Sequence, residues 1–366
     1  MSNLNRREIL TSSVALPAAA LLAHSQRTVS AGQPRAQLPD SIRVAIIGLE
    51  GHYSEILDAA KVHPQVKVTA IVEQDDALRK RITRNPQLKD ARVYQDHREL
   101  LAEKLEVVAV CGQNGPRASI VEAWAERGVP IITEKPLSLS LEELNRTRAA
   151  VSRSGVPLTM LLPMRFSPPF QKMRAIVRSG QIGEVVALAA QKSYKLGQRP
   201  DWMKDRKSFG GTIPYIGIHM VDLMMHVSGC DFTQAAAFHS TVGFPAMREM
   251  ENNAAVLFRL TNQGTASLRI DYLRPETAPT HGDDRLRVAG TKGIIEYQGG
   301  ELKLVTSAHG PVDVADMPPE RSLFVDFLES LYGGPKHALS PEEIFRVNEV
   351  VLKARDAADT GRLVQL

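Results

Sequence analysis

Glu134-Lys135-Pro136 follows the apolar, β-branched run Ile131-Ile132-Thr133, so an acid–base pair stands where a buried strand should stop. Proline bars the helical region to the residue before it, which predicts an extended Lys135 with its ammonium at the carboxyl edge of that strand. Ligands of open α/β sheets bind at that edge, and an ammonium there can polarise an oxygen or help to hold a cofactor. A solvated lysine in a strand-to-helix loop accounts for these three residues equally well. A second group is Tyr215, His219 and Asp222, spaced four and three apart and therefore on one face of a helix. His219 and Tyr215 can exchange protons, and Asp222 can orient His219. The alternative is a helix packed on a sheet, with His219 a satisfied core histidine. His219, Asp222 and His226 could begin a metal set, but the chain offers no convincing fourth ligand, and no metal is expected.

Gly48 closes the apolar run Ile42–Ile47 and opens Gly48-Leu49-Glu50-Gly51-His52-Tyr53-Ser54. Glycines in such a loop let a backbone approach a pyrophosphate seated on the next helix. This loop is not GxGxxG, because Glu50 and Tyr53 stand at the second and third glycine positions. A loop one residue longer, with Gly51 and Ser54 as the close-approach positions, restores it, provided Glu50 points away from the phosphates. Glu73 ends the second strand, 25 residues after Gly48. An acid there accepts from adenosine ribose hydroxyls and repels a 2′-phosphate, which favours NAD over NADP. A solvated acid beside Gln74-Asp75-Asp76 fits as well. Gly112 and Asn114, in Cys111-Gly112-Gln113-Asn114-Gly115-Pro116, can line the nicotinamide-ribose end, although these are ordinary turn formers and a turn is preferred.

The elements that must carry these groups alternate. Strands are expected at 42–47, 66–72, 92–94, 106–111, 131–133 and 158–162. Helices are expected at 54–62, 75–82, 97–102, 119–127 and 141–152. That alternation means βαβ units and a parallel, doubly wound sheet. After Pro163 the texture changes. A helix at 170–178 and a strand at 184–192 precede an irregular polar stretch, 194–211, and a helix at 213–227. Six strands between 235 and 305, joined by short turns, predict an open and mostly antiparallel sheet with helices on one face. Helices at 322–331 and 341–358 close the chain.

The sequence has 366 residues, 43% hydrophobic and 23% charged, which suits a soluble globular protein of two domains. Its formal charge of +4 is half supplied by Arg6, Arg7 and Arg27 against Glu8, and no basic run points to nucleic acid. Cys111 and Cys230 have neither metal-ligand nor disulfide spacing and are expected as buried thiols. Residues 1–31 place Arg6-Arg7 before the short apolar stretch Thr11–Ala23 and small residues at Val29-Ser30-Ala31. That order resembles a twin-arginine signal and implies export to the periplasm, with no membrane span in the mature chain. A linker at 32–40, a dinucleotide-binding domain at 41–162 and a second domain at 163–366 complete the expected organisation.

The strand–Gly–helix unit, Glu134-Lys135-Pro136, Gly210-Gly211 and Gly217-x-His219-x-x-Asp222 occur here in the order seen in Gfo/Idh/MocA oxidoreductases, which the chain resembles from about residue 41 to its end. Arg165-Phe166, Ile182-Gly183-Glu184-Val185, Gly290-Thr291-Lys292-Gly293 and Asp359-Thr360-Gly361-Arg362 support the resemblance. It implies a Rossmann domain, a C-terminal α/β domain whose open sheet makes oligomer contacts, and a sugar or cyclitol held between nicotinamide and the second domain. By position it carries Lys135 and His219 over as catalytic, with Glu134 and Lys135 at the cofactor. Tyr215 stands where the family keeps an Asp, and Gln113 and Arg117 replace its usual Pro and His.

The resulting expectation is an exported, NAD(P)-dependent oxidoreductase with tightly bound cofactor. Lys135, His219 and Tyr215 serve catalysis. Gly48, Gly51, Ser54, Glu73, Gly112, Asn114, Glu134 and Lys135 hold cofactor, and Arg165, Trp202, Lys204 and Asp222 line the sugar pocket. A homo-oligomer is expected. A cofactor-recycling glycosidase or lyase acting through a keto-sugar, and a sugar-binding protein that has lost its cofactor, are the rival readings.

Overall fold

Period-two alternation explains how the first sheet is buried on both faces. In β1 (Ile42–Ile47), Ala45 and Ile47 join one hydrophobic core while Ile42, Val44 and Ile46 join another on the opposite side. The same split occurs in β4 (Val107–Val110). The computed structural model describes residues 35–366 except Thr83, so the expected signal segment at 1–31 lies outside the described residues.

With β2 (Val66–Val72), β3 (Arg92–Tyr94), β5 (Ile131–Thr133) and β6 (Leu158–Met160), the sheet runs β3-β2-β1-β4-β5-β6. Every pairing in it is parallel. The order reverses between β1 and β4, and the crevice above their carboxyl ends is where such sheets hold ligands. Helices α1 (Ser54–Val62), α2 (Asp76–Ile82), α3 (Asn114–Glu126) and α4 (Leu141–Ser154) connect the strands. Helix α3 begins at Asn114, not in the expected turn before 119. Pro116 is tolerated there because a first-turn N–H has no helical partner to lose.

After α5 (Pro168–Arg178), the strand β7 (Val185–Lys195) is longer than expected and runs parallel to β10 (Thr265–Arg274). The other strands are β8 (Phe232–Ser240), β9 (Asn253–Leu260), β11 (Gly282–Gly290), β12 (Gly293–Gln298), β13 (Glu301–Thr306), β14 (Val312–Asp313) and β15 (Val364–Gln365). The second sheet runs β14-β13-β12-β11-β7-β10-β9-β8-β15, antiparallel at every pairing but one. Its strands alternate buried and exposed residues, as a sheet covered on one face must. Within the stretch expected to be irregular lie a short 3₁₀ turn, Asp201–Lys204, and α6 (Arg206–Phe209).

The helix expected at 213–227 has two parts. Ile213–Gly217 forms a π turn, and α7 (Ile218–Ser228) continues from it. Pro214 has no N–H, which opens the hydrogen-bond ladder at this point. Helix α8 (Leu323–Leu331) returns to the first sheet, where Leu323, Phe324, Phe327 and Leu328 join the core of β1 and α1. Helix α9 (Pro341–Thr360) opens with a capping box between Ser340 and Glu343. Its Asn348 and Arg355 accept from Leu137 N–H at 2.8 Å and donate to the Leu139 carbonyl at 2.7 Å, pinning the loop after β5. Among the described residues, no helix is long and apolar enough to cross a membrane.

Candidate active site

The loop after β5 is fixed from three sides. Glu134 N–H donates to the Val110 carbonyl at 2.8 Å, and the Lys135–Pro136 peptide is cis. Buried Arg117 donates to the carbonyls of Pro136 and Gly112, both at 2.6 Å, so one guanidinium ties the Lys135 loop to the loop after β4. Lys135 is 5% exposed. Its ammonium donates to the Tyr215 carbonyl at 3.0 Å and lies 3.8 Å from the centroid of that ring. Burial pushes the ammonium down against the pull of Glu134, and the charges of Arg117, Lys192 and Arg199 push the same way, to about 8.

His219 is 4% exposed and lies one turn beyond Tyr215. Its Nδ1 has no partner among the described residues, and its ring meets His52 edge-on at 5.7 Å between centroids. Burial, then Lys135 and Lys192, hold the imidazole well below its usual range, so it is neutral and able to accept a proton. Burial, then the charge of Glu134, push the Tyr215 phenol up to about 12.

Glu134 is turned to the Gly51–His52 loop. Its carboxylate receives both the backbone N–H of His52 and, at 2.6 Å, His52 Nδ1. Burial pushes this acid up, but His52, Lys135 and Arg117 outweigh that and hold it at about 2. Gly51 packs on the same carboxylate, since a Cβ there would lie 2.2 Å from Glu134 Oε1. The close approach expected of Gly51 to a pyrophosphate is therefore made to Glu134, and Ser54 simply begins α1, exposed.

A cleft of about 460 Å³ opens above β1, β2 and β4, lined by Gly48, Glu50, Glu73, Gly112 and Gln113 among others. Gly48 has φ +82°, and a Cβ on it would stand 2.2 Å from Gly112 Cα, so glycine is required where these two loops cross. Glu73 accepts the N–H groups of Leu49 at 2.9 Å and Asp75 at 3.0 Å, which fixes the carboxylate on the cleft wall. Burial, then the charge of Glu73, push Glu50 up to about 7, and its buried Oε2 has no partner among the described residues. The Gly48–Gly112 crossing, the Glu73 wall and the cleft fit the adenosine half of a nicotinamide dinucleotide. Asn114 is drawn elsewhere, donating to the Phe209 carbonyl at 2.8 Å, although its buried Oδ1 has no partner among the described residues.

The expected sugar residues divide. Arg165 and Asp222 form a buried ion pair, and Arg165 also donates to the Ala338 carbonyl and Glu343, both at 3.1 Å. Both are consumed in joining 163–166 to α7 and α9, so neither faces a sugar, and Asp222 does not orient His219. Lys204 pairs with exposed Asp201 at 2.8 Å. Trp202 does reach the site, with its ring 6.4 Å from that of Tyr215 and its buried Nε1 without a partner among the described residues. Cys111 is buried as expected, whereas Cys230 is half-buried.

Sequence reading missed the wall facing Lys135. Lys192 is buried on the apolar face of β7 after Leu188 and Ala190, and donates to Asp284 at 2.8 Å. A lone lysine in the inward register was the available signal. Tyr194 lies under the Lys192 ammonium, Tyr272 beside Tyr194, and Arg199 over Tyr272, and neither these nor His52 carries a motif.

Residues 42–161 match the description "Oxidoreductase family, NAD-binding Rossmann fold", and residues 170–296 match "GFO/IDH/MocA C-terminal domain". A Thermotoga maritima protein of known structure superimposes with a TM-score of 0.83 at 32% identity, over 89% of this chain and 100% of that one. The chain belongs to the Gfo/Idh/MocA oxidoreductase family. Another relative is the uncharacterised oxidoreductase YrbE of Bacillus subtilis, 28% identical over 270 residues, 74% of this chain and 75% of that one. D-glucoside 3-dehydrogenase of Escherichia coli is 27% identical over 348 residues, 89% of this chain and 97% of its own length. Gfo/Idh/MocA members are NAD(P)-dependent sugar or cyclitol oxidoreductases, and the parallel sheet, the open sheet and the NAD(P) cleft of this chain accord with that family.

Proposed function

We propose that this protein is an exported dehydrogenase that oxidises or reduces a sugar or cyclitol with a tightly held nicotinamide cofactor, NAD in preference to NADP. The observation that carries the reading is the convergence of buried Lys135, anchored on Tyr215, with His219, whose Nδ1 is unpartnered. The bound nicotinamide supplies the hydride acceptor or donor. Gly48, Gly112 and Glu73 would hold its adenosine half, and the fixed carboxylate of Glu73 supports the preference for ribose hydroxyls over a 2′-phosphate. Lys135 polarises the sugar oxygen. Neutral His219 accepts the hydroxyl proton as hydride leaves carbon, and returns it in the reverse direction.

The relative that acts on D-glucosides supports a sugar substrate. Export rests on Arg6-Arg7 and the apolar stretch that follows. A free cofactor pool is not expected outside the cytoplasm, which is why tight retention belongs to the reading. Phe238, Leu257 and Leu273 stand exposed on the uncovered face of the second sheet and support a homo-oligomer through it.

Denaturing the purified protein and analysing released small molecules by mass spectrometry tests the reading. NAD(H) is the expected species. Absence of both NAD(H) and NADP(H), with no thermal shift on adding either, would sink it.

A further inference from the structure

Arg199 and its neighbours hold more hydrogen-bond donors, and more positive charge, than the described residues satisfy. Arg199 Nε, Tyr272 Oη and Trp202 Nε1 are buried atoms with no partner among the described residues. The Arg199 guanidinium lies 4.7 Å from the centroid of the Tyr272 ring. An indole N–H and a guanidinium can only donate, and buried donors left unpaired are costly.

The charges are uneven as well. Lys135 is adjacent to Glu134, and Lys192 is matched by Asp284 at 2.8 Å. Arg199 has no carboxylate partner among the described residues; its recorded hydrogen bond goes to the Lys195 carbonyl at 3.2 Å. Its ring partner Tyr272 lies 6.4 Å from the ring of Tyr194, which in turn lies 5.0 Å from the Lys192 ammonium, and the charge of Arg199 is felt at both Lys135 and Tyr215. Trp202 stands edge-on to Tyr215, and Tyr272 lies under Arg199.

Building on the sugar oxidoreductase reading, we infer that the substrate is an acidic sugar, a hexuronate or related sugar acid, whose carboxylate is received by Arg199 with Tyr272 and Trp202 beside it. A carboxylate offers acceptors only, takes a guanidinium in a paired fork and supplies the missing negative charge. A neutral hexose brings as many donors as acceptors and leaves Arg199 unmatched. The unpartnered Oδ1 of Asp284 remains for a sugar hydroxyl.

The test is calorimetric titration of the full chain, first with NAD⁺ and then, at fixed ionic strength and pH 7.5, with D-glucuronate and D-galacturonate against D-glucose and D-galactose. At least one acid is expected to bind about tenfold or more tightly than its neutral counterpart. Arg199→Gln should erase that ratio and Arg199→Lys keep part of it, both with the parent's melting temperature and NAD⁺ affinity. Equal or weaker binding of the acids, no binding of either acid, or an unchanged ratio in Arg199→Gln overturns the inference. No binding of added NAD⁺ by protein that also releases no nucleotide on denaturation overturns the oxidoreductase reading instead, while the sugar comparison on the same protein still decides the acid preference.

Discussion

The ammonium of Lys135 is held by the backbone carbonyl and the ring face of Tyr215, not by its hydroxyl, at 3.0 Å and 3.8 Å respectively. The residue at the family's usual aspartate position thus supports the lysine as a platform. A carboxylate there would hold the ammonium by charge; an aromatic face holds it more weakly and leaves its pKa open to the effect of burial.

Lys135→Ala should lower kcat by about a hundredfold or more, the usual cost of removing a donor aimed at a reacting oxygen. Because the folded lysine titrates near 8, the parent enzyme's rate should fall as pH rises through about 8, where the ammonium is lost. His219 stays neutral well below its ordinary range, so the profile should show no acid limb near 6.5. Steady-state kinetics between pH 5 and 10 would reveal both features. A profile flat through 8 removes Lys135 from the mechanism.

Tyr215→Phe and Tyr215→Ala separate ring from phenol. With the hydroxyl pushed up to about 12, proton exchange belongs to His219, and the phenylalanine variant should keep kcat within a few-fold. The alanine variant removes the surface under Lys135 and should cost about 0.5–2 kcal/mol of cation–π energy along with activity. If Tyr215→Phe instead falls a hundredfold, the phenol carries a proton after all.

Glu50→Gln should tighten dinucleotide binding above neutrality. Glu50 loses its proton near 7, which places a second carboxylate beside Glu73 in the cleft proposed for the dinucleotide. Affinity of the parent for NAD⁺ is expected to weaken several-fold between pH 6 and 8.5, and that of Glu50→Gln to stay level. Fluorescence titration with NADH across that range decides it; identical slopes for both proteins would show that Glu50 points away from the phosphates.

Asp222→Asn should act on stability. It leaves the buried Arg165 guanidinium with only the half-exposed Glu343 as an acidic partner. Breaking a buried pair from one side costs about 3 kcal/mol. Urea unfolding should show that loss in the midpoint with little change in slope. A variant as stable as the parent but unable to bind sugar would return Asp222 to the substrate site.

Much of this molecule could be read from the order of its residues. Near-continuous apolar runs in Ile42–Ile47 and Val107–Val110, alternating with amphipathic helices, dictate a parallel sheet buried on both faces, and Pro136 after Lys135 places an ammonium at its carboxyl edge. Those are local properties of the chain. Which polar groups face one another is not local. Helical spacing put Asp222 beside His219, but Arg165, 57 residues earlier, takes that carboxylate in the folded core. Gly51 looked like a phosphate contact until Glu134, arriving from another strand, filled the space beside it. Lys192 and Tyr272 have no motif and come near each other because β7 and β10 pair in parallel, and the loop after β7 then lays Arg199 over the Tyr272 ring. A buried charge takes the nearest available partner whatever its distance along the chain, so sequence determined the elements and the edge on which chemistry sits, and tertiary packing alone decided which charges there remain unmatched.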